Sequence, residues 1–468
     1  MTALRKSNIG ATKPARKKML SRDEQYAIGK KLRAKLPRES HAIWKPSFQR
    51  PDPLDLLKKS SEGRIQQLLP LRYGRMLKSP FTFYRGSALS MAVDLSTMPV
   101  SGLRVQACGD CHLSNFGAFA TPERRIIADI NDLDETLPAP WEWDVKRLAA
   151  SFVVASRDNG HSEGAARDAA LACVAAYRQR MFELSKMTVL EVWYSSIDLE
   201  EFVKTIKDEE GKGRIKKRLE KARARTVLEQ DFPELASTNG DAPVIRDNPP
   251  LIFHPREHSE KGFADVFRKA FADYRETLPE FRRLLLDRYQ FTDIALKVVG
   301  VGSVGTACGV MLMMASEKDP LFLQFKEARA SVLEPYAGKS KYANQGQRVV
   351  VGCQLMQAAS DLFLGWTSGQ EGRHFYVRQL KDMKIKPVVE VFTENQMLGY
   401  AELCGWILAR AHARSGEPAR ISGYLGKSER FDQAIADFSV AYADQTERDH
   451  ATLTAVVRRG DLEIAEEE

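Results

Sequence analysis

The chain has 468 residues, 43% of them hydrophobic, enough for roughly two or three domains with a sizeable core, which excludes global disorder. Lysine and arginine outnumber the acids 70 to 62, a net charge of +8, with much of the excess early, in Arg5, Lys6, Lys13, Arg16, Lys17 and Lys18. No aromatic residue interleaves those charges, so they read as a solvated tail and give no support for a nucleic-acid surface.

The first twenty residues hold no apolar core of a secretory signal, and no window is apolar enough for a membrane span. The nearest, Val298 to Ala315, carries four glycines with Ser303 and Thr306. A cytoplasmic protein that enters no membrane is expected.

In chain order, residues 1 to about 50, with Pro37, Pro46 and Pro51, read as an arm or linker. Residues 62–77 are helix-like and interrupted by Pro70. "SPFTFYRG" (79–86) reads as strand or loop, followed by a helix at 87–95. "LRVQACGD" (103–110) alternates like a strand running into a loop. A short strand over 125–129 leads into an acidic loop, and Asp144 heads a strongly apolar helix over 144–155. Residues 165–230 are helical and charged, 238–262 a proline-broken loop, and 264–290 helical again. Then the texture changes: "DIALKVVGVGSVGTACGVMLMMA" reads as strand, glycine turn, strand. "PLFLQFKEA" (320–328) and "RHFYVRQLKD" (373–382) are further strands, with a helix over 344–361 between them. Helices over 395–413 and 430–459 close the chain. The layout is a basic arm (1–55), a larger, mostly helical lobe (56–290), a smaller antiparallel sheet lobe (291–392), and helices returning to the larger lobe (393–468).

"CGDCHLSNFG" (108–117) admits three readings. As C-x-x-C-H it is a haem c attachment pattern, which needs export. Cys108 and Cys111 alone could be a redox pair or half a zinc site. The other cysteines, Cys173, Cys308, Cys353 and Cys404, form no second pair. Asp110 between the thiols also opposes thiolate formation. The third reading ignores the cysteines: Asp110 and Asn115 have the D-x-x-x-x-N spacing of a kinase catalytic loop.

Phosphoryl transfer asks a protein mainly for positioning and charge neutralisation, and each part has a candidate. Asp110 is the catalytic carboxylate. Asn115 and Asp129 are the magnesium ligands, with Asp132 and Asp134 able to share or replace Asp129. Aspartate and asparagine are also ordinary turn formers. Gly300, Gly302 and Gly305 form G-x-G-x-x-G. A strand and not a helix follows, as in a glycine flap over phosphates. Lys326, in the next strand, would bind phosphate, or else is a surface lysine on an edge strand. The helix over 344–361 offers this lysine no glutamate, only Gln347, Gln354 and Gln357; Glu327 and Glu334 are the nearby acids. Arg85, Arg378 and Lys381 could also reach phosphates, and buried salt bridges explain them equally well. The glycine loop and lysine follow the catalytic loop instead of preceding it, so a circularly permuted, two-lobed α+β kinase-like fold is expected. A non-catalytic nucleotide-binding scaffold, and a metal-dependent phosphohydrolase using Asp129, Asp132 and Asp134, are the alternatives.

The segments "LLPLRYGRMLKSPFTFYRGSALSMAVDL", "VQACGDCHLSNFGAFATPER", "DINDLDETLPAPWEWDVKRLAASF", "VVGVGSVGT", "LQFKEA", "YVRQLKDMK", "ARAHARSG" and "AYADQTERD" resemble the bacterial domain-of-unknown-function 2252 family, over about residues 30 to 458. "GDCHLSN" is similar to the "GDLHPGN" of aminoglycoside-type phosphotransferases. That resemblance carries Asp110, His112 and Asn115 across as site residues, and implies ATP and Mg2+ with an unidentified hydroxyl acceptor. It makes Asp144 and His412 structural, while the resemblance to the 2252 family, in which alanine is usual at position 111, makes Cys111 incidental. Ala307 stands where arginine would be expected.

Overall fold

The computed structural model describes residues 19–205, 208–224, 232–239, 242–254, 261–298, 300–380 and 383–465. The basic residues Arg5 to Lys18, and Lys381, lie outside them. The protein is a mixed α+β structure with several antiparallel sheets.

Four long helices, Trp141–Asp158, Glu163–Leu184, Glu394–Ser415 and Arg430–Arg458, pack around the main core. Trp141–Asp158 is buried on nearly every side, so its charged residues Glu142, Asp144, Lys146 and Arg147 point into protein rather than water. Buried charges need partners, and the partners of Asp144 and Arg147 build the site described below.

The largest sheet is antiparallel and six-stranded, in the order Gly365–Ser368, His374–Gln379, Asp319–Ala328, Cys308–Ser316, Gln290–Lys297, Ile252–Phe253. Its register sets Lys326 between Cys308 and Tyr376. A second sheet runs Lys384–Ile385, Phe116–Ala120, Ile126–Ile130, Ile197–Asp198 and pairs Gly117 with Asp129. Arg104–Ala107 pairs with Leu137–Pro140, so the loop after Ala107 and the acidic loop before Leu137 leave the same end of one ribbon.

The structure differs from several sequence expectations. "SPFTFYRG" is a helix, Pro80–Gly86: Ser79 and Thr82 form a reciprocal cap, and Pro80 presets the first turn, outweighing the strand propensity of three aromatics. The 238–262 stretch contains strands: Ala242–Ile245 pairs with Ala236–Asn239, and Ile252–Phe253 edges the large sheet. The first fifty residues are not all linker. Arg22–Leu32 is a helix with a Ser21/Glu24 capping box. It packs on the helix Pro418–Leu425, and a Cβ on Gly29 or Gly423 would enter the other helix's backbone. The helix expected over 344–361 ends at Met356. Among the described residues, no helix is long and apolar enough to cross a membrane.

Candidate functional site

The loop after Arg104–Ala107 is held from beneath by Asp144. Its carboxylate accepts the backbone N–H groups of Cys108 (2.6 Å) and Gly109 (3.0 Å), and lies 3.0 Å from His412 Nε2. Tyr177 Oη and His412 Nδ1, 2.9 Å apart, extend the chain. Gly109 has φ +86°, and a Cβ there would strike the Glu135 carbonyl, so this turn requires glycine. Asn115 donates its amide to the Asp110 carbonyl at 2.7 Å, closing the loop on itself.

Arg147, one helical turn after Asp144, reaches Asp110. Its Nε (2.7 Å) and Nη2 (2.5 Å) both donate to Oδ1, and its guanidinium lies 4.5 Å from the Tyr84 ring centre. Asp110 Oδ2 faces His112 Nε2 at 3.8 Å. Burial pushes the His112 imidazole down to about 3, against the pull of Asp110, so the ring is neutral; its Nδ1 is enclosed without a partner.

Lys326 crosses to the acidic loop. Its Nζ lies 2.6 Å from Asp134 Oδ2 and 3.2 Å from Asp132 Oδ2. Tyr376, opposite Lys326 in the sheet, donates its hydroxyl to Asp134 Oδ1 at 2.6 Å. Burial works against the lysine's charge, but Asp132 and Asp134 more than offset it and hold the ammonium well above its usual range. Burial also raises Asp132; Lys326 and Arg378 outweigh it and keep this carboxyl low. Asp134 is raised by burial and by the charge of Asp132. The carboxylates that pair with Lys326 thus come from the acidic loop. The helix Gln345–Met356 contributes the opposite charge: Arg348 donates to the carbonyls of Asp134, Thr136 and Arg329 and fixes the loop's path. Glu327 is used locally, accepting from Ala307 N.

The glycine loop lies over this pair. Ser303 Oγ is 3.5 Å from Asp134 Oδ2. Val301 and Val304 are buried among the helices of residues 53–77, Arg64 donates to the Val304 carbonyl, and Arg75 to that of Gly300. Gly300 and Gly305 take positive φ, and a Cβ on Gly302 would stand 3.3 Å from the Arg85 carbonyl. The loop is docked rather than projecting.

Asp110, His112 and Asn115 share one loop, Asp132, Asp134, Lys326 and Ser303 of the glycine loop are in contact, and the charge of Asp132 acts on His112 as well as on Lys326, so the two groups form one cluster. Asp129 does not face it. It is fully enclosed, with Oδ1 on Arg410 Nη2 (2.5 Å) and Oδ2 on Ala358 N (2.7 Å). Cys108 and Cys111 are buried free thiols; burial and the neighbouring Cys108 push Cys111 well above its usual range, unlike a reactive thiolate. Among the described residues no three His, Cys, Asp or Glu side chains are grouped to hold a metal unaided. A cavity of about 410 Å³ lies elsewhere, between the turn at 120–124, residues 318–321 and residues 359–363.

Sequence reasoning missed Arg147 and Tyr376. Asp144 and Arg147 stand three apart at the start of a helix, a spacing that puts both on one face and was the available signal.

What these features define is an α+β protein with a buried lysine paired to two aspartates beneath a glycine loop. A family model described as "Uncharacterized protein conserved in bacteria (DUF2252)" matches residues 64–456, and the chain belongs to that family. No curated protein and no solved structure matches it.

Proposed function

We propose that the protein is an ATP- and magnesium-dependent phosphotransferase with a permuted, kinase-like arrangement, acting on a hydroxyl group. One observation carries the reading: Lys326, the acidic loop and Ser303 of the glycine loop are in contact beside Asp110, although Asp134 and Lys326 stand 192 residues apart in sequence.

Each residue has a role that its surroundings suit. Arg147 occupies Oδ1 of Asp110 with both nitrogens, leaving Oδ2 to orient the acceptor hydroxyl and take its proton as the γ-phosphoryl group moves to the acceptor oxygen and ADP departs. His112, neutral and buried beside Oδ2, would position that carboxylate. Lys326 and the backbone of Gly300, Gly302 and Gly305 would hold phosphate oxygens. Asp132 and Asp134, partly exposed to the cleft, and the amide oxygen of Asn115 would hold magnesium. Two carboxylates and an amide suit an ion that completes its shell with phosphate and water. Bound magnesium would neutralise phosphate charge during transfer. Asp129 would act at one remove, by fixing the strand that delivers the acidic loop. The hydrolase alternative needs Asp129 beside Asp132 and Asp134, whereas its oxygens are engaged by Arg410 and backbone.

The test is thermal stabilisation by Mg–ATP, since a ligand bound only to the folded state raises the midpoint. A shift lost in Lys326→Ala and Asp132→Ala is expected. No shift at millimolar ATP would end the proposal; a shift without turnover on any acceptor would favour the scaffold.

A further inference from the structure

Beside the proposed phosphate-binding lysine stands a second group of cations with no role so far. Arg85, at the end of the helix Pro80–Gly86, has its carbonyl against Gly302, and its side chain lies within the field of Asp110. Lys386 follows the short strand Lys384–Ile385. That strand pairs Ile385 with Ala118, so the next position along, Lys386, comes level with Gly117, two residues past Asn115. Partial burial lowers the Lys386 ammonium, and the charges of Arg85, Arg378 and Lys326 lower it further against the pull of Asp132. These cations come from elements far apart in the chain and converge at one edge of the cleft.

Among the described residues they are not compensated there. The carboxylates acting on Arg85 and Lys386 are Glu390, Asp110 and Asp132. Asp110 is already engaged by Arg147, Asp132 by Lys326, and Glu390 is exposed. Arg85 Nε is enclosed without an acceptor. A buried donor left unsatisfied is destabilising, and like charges held together add to that cost. An oxyanion removes both terms, and a guanidinium with an ammonium is a fitting pair for one.

The geometry points to Arg85 and Lys386 as an oxyanion subsite on the Asp110 side of the cleft: the acceptor is a small hydroxyl compound that itself carries a phosphate or carboxylate group. This rests on the phosphotransferase reading, because it is Asp110 that places the hydroxyl. An anionic group bound by Arg85 and Lys386 leaves the rest of a small acceptor beside Asp110 Oδ2, while Lys326 and the glycine loop remain for the nucleotide.

The experiment is scanning fluorimetry of the full chain with inorganic phosphate, with succinate and with Mg–ATP, on the wild type, Lys386→Met, Arg85→Gln and Arg85→Lys. Much of the Lys386 side chain stays in contact with solvent, so its variant keeps the fold. Phosphate, succinate or both should raise the wild-type midpoint, and which of them does so assigns the oxyanion. Losing one charge-assisted hydrogen bond should raise the concentration giving half the shift about tenfold in Lys386→Met and Arg85→Gln. Arg85→Lys should fall between, with the Mg–ATP response kept in all three. An oxyanion response unchanged in the variants, or absent in the wild type, overturns the subsite. So does an Mg–ATP response lost in step with it, which would give these cations to the nucleotide. If Mg–ATP has no effect while the oxyanion response still depends on Arg85 and Lys386, the subsite stands and the phosphotransferase reading falls.

Discussion

Asp129→Asn separates a buried structural pair from a metal ligand. Asp129 is fully enclosed, and besides Arg410 its carboxylate accepts the N–H groups of Ile130 and Ala358. Arg410 is equally buried. Its Nε and Nη1 have no acceptor, and apart from Asp129 it holds only the Met356 carbonyl, at 2.8 Å. Neutralising Asp129 therefore strands a guanidinium charge in the core, and breaking a buried pair from one side costs about 3–5 kcal/mol. Unfolding entropy is about 2 cal/mol/K per residue, so a chain of this length gains on the order of 1 kcal/mol/K and the midpoint should fall by about 3–5 °C. Scanning fluorimetry without ligand reads this directly. Arg410→Met in the Asp129→Leu background should recover most of the loss, because the two residues form one interacting unit. A midpoint within about 1 °C of wild type, together with loss of the Mg–ATP response, would refute the reasoning and make Asp129 a metal ligand.

Asp110→Asn should abolish phosphoryl transfer yet keep the thermal shift with Mg–ATP; retained turnover would remove Asp110 from its role. Gly109→Ala should cost about 1–3 kcal/mol in urea unfolding, because alanine must take a positive φ and displace Glu135. Lys146 is buried, and burial, only partly opposed by Glu142, lowers its ammonium to about 7. The unfolded chain then binds more protons than the folded one between that value and about 10. Wild-type stability should accordingly rise with pH across that window, and Lys146→Met should flatten the rise and stabilise the protein at pH 7. Gly423→Val should lift the helix Arg22–Leu32 from its seat, read as faster trypsin cleavage at Lys30, Lys31 or Arg33 while the remaining chain resists.

Much of the element order is legible in the chain, because strands such as Cys308–Ser316 and Asp319–Ala328 are short apolar runs with turn chemistry at their ends. "SPFTFYRG" is misread because its aromatics argue for a strand while Ser79 and Pro80 argue for a helix start, and burial of Phe81, Phe83 and Tyr84 lets the cap decide. In the site, residue type and spacing single out Asp110, Asn115 and Lys326. They do not distinguish Asp129 from Asp132. That difference depends on the helix Glu394–Ser415, which brings Arg410 against Asp129, while the chain leaves the strand at Ile130 and turns Asp132 toward Lys326. The same limit hides Arg147 and Tyr376, whose partners come from other elements and not from sequence neighbours.

The pair between Asp129 and Arg410 also has a consequence during synthesis. The two residues are 281 positions apart, and at about 5–20 residues per second the ribosome delivers the second roughly 15–60 s after the first. Throughout that interval the strand leading to the acidic loop has a carboxylate that cannot be buried, and the loop's lysine partner is made only in the later part of it. The pair between Lys326 and the acidic loop therefore cannot form before that later part. A polypeptide released early would expose the acidic loop and the unpaired edges of its sheet, and would be a substrate for proteolysis rather than a partly active protein.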